Sequence, residues 1–218
     1  MKINENIEIT NEDNMLLMAR YPDGYFDLAI VDPPYGIEIN MNMGRKKGQE
    51  KKHNEKDWDN RIPDEKYFNE LKRVSKNQII FGGNYFPLPS TKSWIFWDKN
   101  VPKGVSFADG ELAWTSFDKT LVKIAVTYTG FKGMDENGKI HPTQKPVKLY
   151  ENLFTKYAES GYKILDTHLG SGSIAIALDN VNKIEKMNLT LTACELDTEY
   201  YESSIRRIIE KTNWQSLF

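Results

Sequence analysis

The sequence predicts an α/β fold in which helices alternate with the strands of a single sheet. Short apolar runs typical of buried strands alternate with segments whose apolar residues recur at helical spacing. The chain has 218 residues, of which 39% are hydrophobic and 28% charged, which suits one domain with a sizeable core. We therefore expect a single domain over residues 1–218.

Seven apolar segments are expected to be strands, with helices between them. The predicted strands are residues 7–9, 27–31, 78–81, 93–97, 121–126, 163–165 and 189–194. The predicted helices begin near Asp64, Pro146, Ser173 and Thr198, because Asp caps helices and Pro suits their first turn.

Composition excludes several classes of protein. No apolar run approaches the ~20 residues that span a bilayer, and the first residues lack the apolar core of a secretory signal. The single cysteine, Cys194, allows no internal disulfide and no cysteine zinc cluster, and it fits a reducing cytoplasm. The net charge of -2 means that any contact with nucleic acid must come from a local basic patch.

The sequence Asp32-Pro33-Pro34-Tyr35 follows the predicted strand 27–31. Ligands of open α/β sheets bind beyond the carboxyl ends of strands, so these residues lie where chemistry is expected. The prolines fix φ and lack N–H groups, so the Pro33 carbonyl and the Asp32 carboxylate can together accept both hydrogens of an exocyclic amino group. The ring of Tyr35, rather than its hydroxyl, is expected to stack on a flipped base. A simple surface turn is the alternative.

A glycine-containing turn over residues 166–173 leads from a predicted strand into a helix. Glycines at such a turn let the backbone approach a ligand closely. Glu195 ends the next strand, where a carboxylate can accept hydrogen bonds from both hydroxyls of a ribose. No third glycine completes the dinucleotide-binding pattern, and the chain has no phosphate-binding Gly-Lys-Ser/Thr sequence. We therefore expect an adenosyl ligand without phosphates. A tight turn without a ligand is the alternative.

The sequence His141-Pro142-Thr143-Gln144-Lys145-Pro146 precedes a predicted helix. Thr143 and Lys145 could reach a carboxylate at the start of that helix, aided by free backbone N–H groups. By itself, this pattern is more typical of a proline-bounded loop.

These three motifs, in this order, resemble the β-group DNA amino-methyltransferases, in which the catalytic motif precedes the cofactor motif. The resemblance covers almost the whole chain and is strongest to the short solitary enzymes of phages and prophages. Residues 82–86 and 94–99 also have counterparts there.

The resemblance implies a Rossmann-like fold that uses S-adenosylmethionine (SAM), with a seven-stranded, mostly parallel sheet in circularly permuted order and one antiparallel strand. It assigns catalysis to Asp32, Pro33, Pro34 and Tyr35. It places the methionine end of SAM at Asp166, Gly170 and Gly172, together with Thr143 and Lys145. The ribose is expected at Glu195 and the adenine near Asp13. His168 is expected to cover the cofactor, at a position where Phe is more common. No metal is implied.

The expected activity is methylation of N6 of adenine in double-stranded DNA after base flipping. Methylation of cytosine N4 is the first alternative, although that group more often has Ser in the place of Asp32. Methylation of RNA or of a protein glutamine fits the order of the motifs less well. A catalytically silent DNA-binding protein of the same fold is a further alternative, and the oligomeric state, monomer or homodimer, stays open.

A basic segment lies within the stretch 36–61, which is expected to be a loop inserted after the catalytic motif. Residues 45–56 hold six basic and two acidic side chains. DNA phosphates are expected to contact this segment at Arg45, Lys46, Lys47, Lys51 and Lys52. Residues 101–137 are a second candidate segment for DNA recognition.

Overall fold

The computed structural model describes residues 1–36, 62–104, 108–127, 140 and 144–214. Eight strands in this part of the chain form one sheet in the order β1-β8-β7-β2-β3-β5-β4-β6. The strands are β1 (Ile7–Asn11), β2 (Phe26–Val31), β3 (Ser75–Phe81), β4 (Trp94–Asp98), β5 (Gly110–Thr115), β6 (Val122–Ala125), β7 (Lys163–Asp166) and β8 (Thr190–Glu195).

The α-helices of the described residues cover the two faces of this sheet. They are α1 (Asn14–Met18), α2 (Glu65–Val74), α3 (Val147–Tyr157), α4 (Ser173–Glu185) and α5 (Thr198–Trp214), and a 3₁₀ turn follows β3 at Gly83–Tyr85. Asp64 caps α2, as expected, by accepting a hydrogen bond from the N–H of Tyr67 at 3.0 Å. The short α1 was not expected from the sequence. Among the described residues, no helix has the length and apolar character needed to cross a membrane.

Strand β2 shows why the sequences of the central strands are unbroken apolar runs. Leu28 and Ile30 pack in the core shared with α3 and α4, while Ala29 and Val31 pack in the core shared with α1 and α2. Successive side chains of a strand point to opposite faces, so a strand covered by helices on both sides needs apolar residues at every position. The α/β class and the mostly parallel sheet are confirmed.

Among the described residues, the sheet has one strand more than the seven expected. The seven predicted segments match the seven strands that run parallel to one another, and the eighth strand, β5, is antiparallel to its neighbours β3 and β4. Its sequence, GELAWT, begins with a glycine and a glutamate and holds no apolar run long enough to predict a strand. Two strands, β5 and β6, therefore lie inside the stretch 101–137 that was considered for DNA recognition.

The direction of β5 matters for the site. The parallel strands β1, β2, β3, β7 and β8 all end at one edge of the sheet. Because β5 runs the other way, its first residues lie at that same edge, where Glu111 is paired with Trp97 near the end of β4. A polar side chain from the start of β5 is thereby brought to the edge at which ligands bind in such sheets.

Candidate active site

A cavity of about 910 Å³ opens at the carboxyl edge of the sheet. Its walls come from the ends of β1, β2, β7 and β8 and from the residues that precede α2 and α3. The lining residues are Glu12, Asp13, Asn14, Met15, Asp32, Pro34, Ile62, Pro63, Asp64, Tyr67, Gln144, Lys145, Tyr150, Thr167, His168, Leu169, Gly170, Ser171, Glu195, Leu196, Asp197 and Tyr200.

Most of the predicted site residues that the structure describes lie on this cavity. The lining includes Asp13, Asp32, Pro34, Lys145, His168, Gly170 and Glu195, whereas Pro33, Tyr35, Asp166 and Gly172 are not part of it. Thr143 and the basic residues Arg45, Lys46, Lys47, Lys51 and Lys52 lie outside the described residues.

Glu195 is held by backbone donors on both carboxylate oxygens. The N–H of Gly170 donates to Oε2 at 2.9 Å, and the N–H of Asp197 donates to Oε1 at 3.0 Å. Burial raises the pKa of Glu195, and these backbone hydrogen bonds oppose that rise. Because a carboxylate has about four acceptor positions, the fixed Glu195 side chain keeps capacity for the hydroxyl groups of a ligand.

The two glycines of the turn have different surroundings. Gly170, at φ 54°, lies on the cavity wall next to Glu195. Gly172 has φ 73°, and a Cβ atom there would lie 2.6 Å from Cδ1 of Ile208 on α5. The structure thus gives Gly172 a role in packing α4 against α5, and its assignment to the cofactor stays a prediction.

Two other predicted cofactor residues have structural partners of their own. Asp13 caps α1 by accepting the N–H of Met15 at 2.8 Å. The ring of His168 lies 3.3 Å from the amide nitrogen of Asn14 and 2.9 Å from the hydroxyl of Thr167. Burial lowers the pKa of His168 to about 4, so its ring is neutral at neutral pH. A neutral, packed ring fits the expected role of covering a ligand.

Asp166 lies beneath the glycine turn. Its side chain is buried, and its Oδ1 atom accepts the N–H of His168 at 3.0 Å. Burial raises the pKa of Asp166 to about 8, against the opposing effect of this hydrogen bond. The carboxyl group is therefore protonated in a large fraction of molecules at neutral pH.

Among the described side chains, Asp32 has two partners, one on each oxygen. The hydroxyl of Tyr35 donates to Oδ1 at 2.6 Å, and the ammonium of Lys145 forms an ion pair with Oδ2. Lys145 is buried. Sequence reasoning assigned Lys145 to the cofactor and gave the Tyr35 hydroxyl no role, whereas the structure brings both groups to Asp32.

The ring of Tyr35 is packed by the residues that follow β3. Tyr85 stacks on it with ring centres 5.1 Å apart and planes inclined by 16°, and Phe86 contacts it edge-on at 6.0 Å. Tyr85 is 46% exposed and is the more accessible ring of the pair. The expected stacking of Tyr35 on a flipped base stays a prediction.

Gly82 supports the position of Tyr35. It has φ 64°, and a Cβ atom there would lie 2.2 Å from Cε1 of the Tyr35 ring. Gly82→Ala is therefore expected to destabilise the protein through two effects. The left-handed backbone costs about 1–2 kcal/mol, and displacing the ring costs about 1–3 kcal/mol more.

Gly161→Ala is the matched control, because Gly161 has φ 83° and a Cβ atom there would meet nothing within 4 Å. Urea denaturation should show that Gly82→Ala loses more unfolding free energy than Gly161→Ala. Equal losses in the two variants would mean that the contact between Gly82 and Tyr35 is unimportant.

Sequence reasoning missed two charged residues near Asp32. Glu111 on β5 lies 3.5 Å from the ammonium of Lys145, and Lys99, just after β4, pairs with the other oxygen of Glu111 at 2.6 Å. Glu111 was missed because β5 was missed. The one signal in the sequence was the similarity of residues 94–99 to the family, which includes Lys99.

Comparisons with known proteins agree with this fold. The family model for N6/N4 methyltransferases, described as DNA methylase, matches residues 91–206. The chain therefore belongs to this DNA methylase family. It is also 32% identical over 72 residues to the type II methyltransferase M.HpaI of Haemophilus parainfluenzae. That match covers 30% of this chain and only 23% of M.HpaI.

Solved structures of DNA methyltransferases share the fold. A crystal structure of M1.HpyAVI in complex with SAM superposes with a TM-score of 0.58 at 18% identity, over 92% of this chain and 99% of the other. The cytosine-N4-specific PvuII DNA methyltransferase gives a TM-score of 0.56 at 14% identity, over 96% of this chain and 92% of the other.

Proposed function

We propose that this protein is a SAM-dependent DNA methyltransferase that methylates N6 of adenine in double-stranded DNA. The observation that carries the proposal is that one cavity holds both the Asp32 carboxylate and the Glu195 carboxylate with its glycine turn. The first carboxylate can bind the amino group that is methylated, and the second can bind the nucleoside part of the methyl donor.

The cavity fits an adenosyl cofactor in size and in chemistry. Its volume of about 910 Å³ lies in the range of small-molecule sites. Glu195 would accept the ribose hydroxyls, Gly170 would allow close approach of the backbone, and the neutral His168 ring would cover the ligand. SAM supplies a methyl group that is already activated on a sulfonium, and the related fold of M1.HpyAVI carries SAM in its crystal structure.

The residues around Asp32 would orient the amine and take up its proton. Asp32 accepts the hydrogens of the amino group together with the carbonyl of Pro33, which favours a pyramidal nitrogen with a free lone pair. Tyr35 and Lys145 fix the rotamer of Asp32. Burial raises the pKa of Asp32 although Lys145 opposes this, so its carboxylate is a competent acceptor for the proton that the methylated nitrogen releases.

Adenine is proposed as the target because Asp stands in the first position of the motif, where Ser is more common among cytosine N4 enzymes. The experiment is incubation of the purified protein with labelled SAM and unmethylated DNA, followed by digestion to nucleosides. Label in N6-methyladenine is expected. Label in N4-methylcytosine would overturn the choice of base, and absence of label would favour the catalytically silent alternative.

The basic segment after the catalytic motif is proposed to contact DNA phosphates. The variant with Ala at Lys46, Lys47, Lys51 and Lys52 should bind DNA more weakly. Each lost phosphate contact should also reduce the slope of log affinity against log salt concentration by roughly 0.9 in magnitude. The measurement is DNA affinity by fluorescence anisotropy over a series of salt concentrations, with SAM affinity expected to stay unchanged.

The double variant with Ala at Lys76 and Lys163 is the control for that measurement. These lysines lie at the amino ends of β3 and β7, on the edge of the sheet opposite the cavity. The control should keep the wild-type slope. An unaltered slope in the fourfold variant would place the phosphate contacts elsewhere, with the parts of 101–137 outside β5 and β6 as the next candidates.

A further inference from the structure

Four charged side chains form a continuous row that ends at Asp32. Lys99 Nζ lies 2.6 Å from Glu111 Oε1, Lys145 Nζ lies 3.5 Å from Glu111 Oε2, and Lys145 also forms an ion pair with Asp32. The charges alternate in sign along the row. Its members come from four separate parts of the chain, at the ends of β2 and β4, the start of β5 and the residues before α3.

Lys145 is shared between two carboxylates in this row. Its side chain is 4% exposed, so the ammonium has little access to water and its charge is balanced by Asp32 and Glu111. At 3.5 Å, the contact with Glu111 is electrostatic rather than a strong hydrogen bond. Burial would lower the pKa of Lys145, but the two carboxylates raise it above its ordinary value, and the side chain stays charged.

Glu111 opposes the effect of Lys145 on Asp32. The ammonium of Lys145 stabilises the charged form of Asp32, whereas the negative charge of Glu111 destabilises it. Burial also favours the protonated form of Glu111, but Lys145 and Lys99 outweigh it and hold the pKa of Glu111 below its ordinary value. Lys145 and Lys99 therefore favour the charged form of Glu111 on the far side of Lys145 from Asp32.

We propose that Glu111 is a positioning residue for methyl transfer, which shares Lys145 with Asp32 and so keeps the Asp32 carboxylate a strong acceptor for the amino group of the target base. This inference rests on the proposed function. Without Glu111, Lys145 would pair with Asp32 alone. The carboxylate would then be a weaker acceptor for the hydrogens and the proton of the substrate.

The main test is the titration of Asp32 itself, followed through the NMR resonance of its carboxyl carbon, which requires no turnover. Glu111→Gln should move this titration to lower pH, because a negative charge near Asp32 is removed. Lys145→Met should move it to higher pH, because a positive charge is removed. A general loss of structure would not shift the titration in opposite directions in the two variants.

Other groups around Asp32 also titrate, and for this reason a resonance of Asp32 is preferable to a pH profile alone. The groups that interact with it are Tyr35 in its own loop, Tyr67 on α2, Glu111 on β5, Lys145 before α3, Tyr150 on α3 and Asp166 at the end of β7. With its pKa near 8, Asp166 titrates close to neutral pH.

The second readout is kinetic. Glu111→Gln should lower kcat by about tenfold, which is less than the ~10²–10⁴-fold contribution of a direct acid–base group because Glu111 acts only through Lys145. The KM for SAM should stay unchanged, and the acidic limb of the kcat profile should move to lower pH. Asp118→Asn is the matched control, because it removes the negative charge of an exposed carboxylate that pairs with Lys92 beyond the other end of β5. It should leave kcat and the pH profile unchanged.

An Asp32 titration that stays in place in Glu111→Gln would overturn the inference, as would a shift in the same direction as in Lys145→Met. Failure of the wild-type protein to methylate DNA would instead overturn the proposed function. If Glu111→Gln does not fold, Lys99→Met tests the same row. That variant leaves the charge of Glu111 without its outer partner, and the titration of Asp32 should move to higher pH.

Discussion

Asp32→Ala is expected to abolish methyl transfer while leaving the affinity for SAM nearly unchanged. The carboxylate of Asp32 acts on the amino group of the base, whereas the groups proposed to hold SAM lie at the ends of β7 and β8. The measurement pairs a methyl-transfer assay with calorimetric titration of SAM. Retention of more than about a tenth of wild-type turnover would contradict the assignment, since one useful catalytic contact is worth at least ~1.4 kcal/mol.

Asp27→Asn is the matched control for this experiment. Asp27 lies at the other end of the same strand, β2, where it pairs with Lys76 at 2.6 Å and accepts the N–H of Lys163 at 2.9 Å. Its removal should affect stability and leave turnover unchanged. If Asp27→Asn lost activity as Asp32→Ala does, the loss would reflect damage to β2 and not the removal of a catalytic carboxylate.

Glu195→Ala is expected to weaken SAM binding by roughly 1.5–3 kcal/mol, the usual contribution of hydrogen bonds to a charged acceptor. The carboxylate is fixed by Gly170 and Asp197, so it meets the ribose without further loss of side-chain freedom. Calorimetry measures the effect directly. Turnover at saturating SAM should fall much less than the affinity does.

Glu8→Ala is the control for Glu195→Ala, because Glu8 is an exposed glutamate on the neighbouring strand β1. It should bind SAM as the wild type does. Unchanged SAM affinity in Glu195→Ala, with Glu8→Ala also unchanged, would remove Glu195 from the proposed ribose site.

The sequence by itself was sufficient for features that depend on local pattern. The buried parallel strands are apolar at nearly every position, and this holds whatever their order in the sheet. Asp32 follows such a strand, and Gly170 and Glu195 follow or end two others, so their meeting at one edge could be predicted from the rule for parallel strands. The family resemblance supplied the roles expected of them.

Only the tertiary structure decided which charges lie next to Asp32. Glu111 reaches the site because β5 is antiparallel, and neither the existence nor the direction of that strand is visible in its short mixed sequence. Lys145 directly precedes Pro146, the N-cap of α3, so its position depends on where that helix packs. The geometry of the sheet and the core determines which residues distant in the chain come into contact. The local sequence around each residue does not predict such contacts.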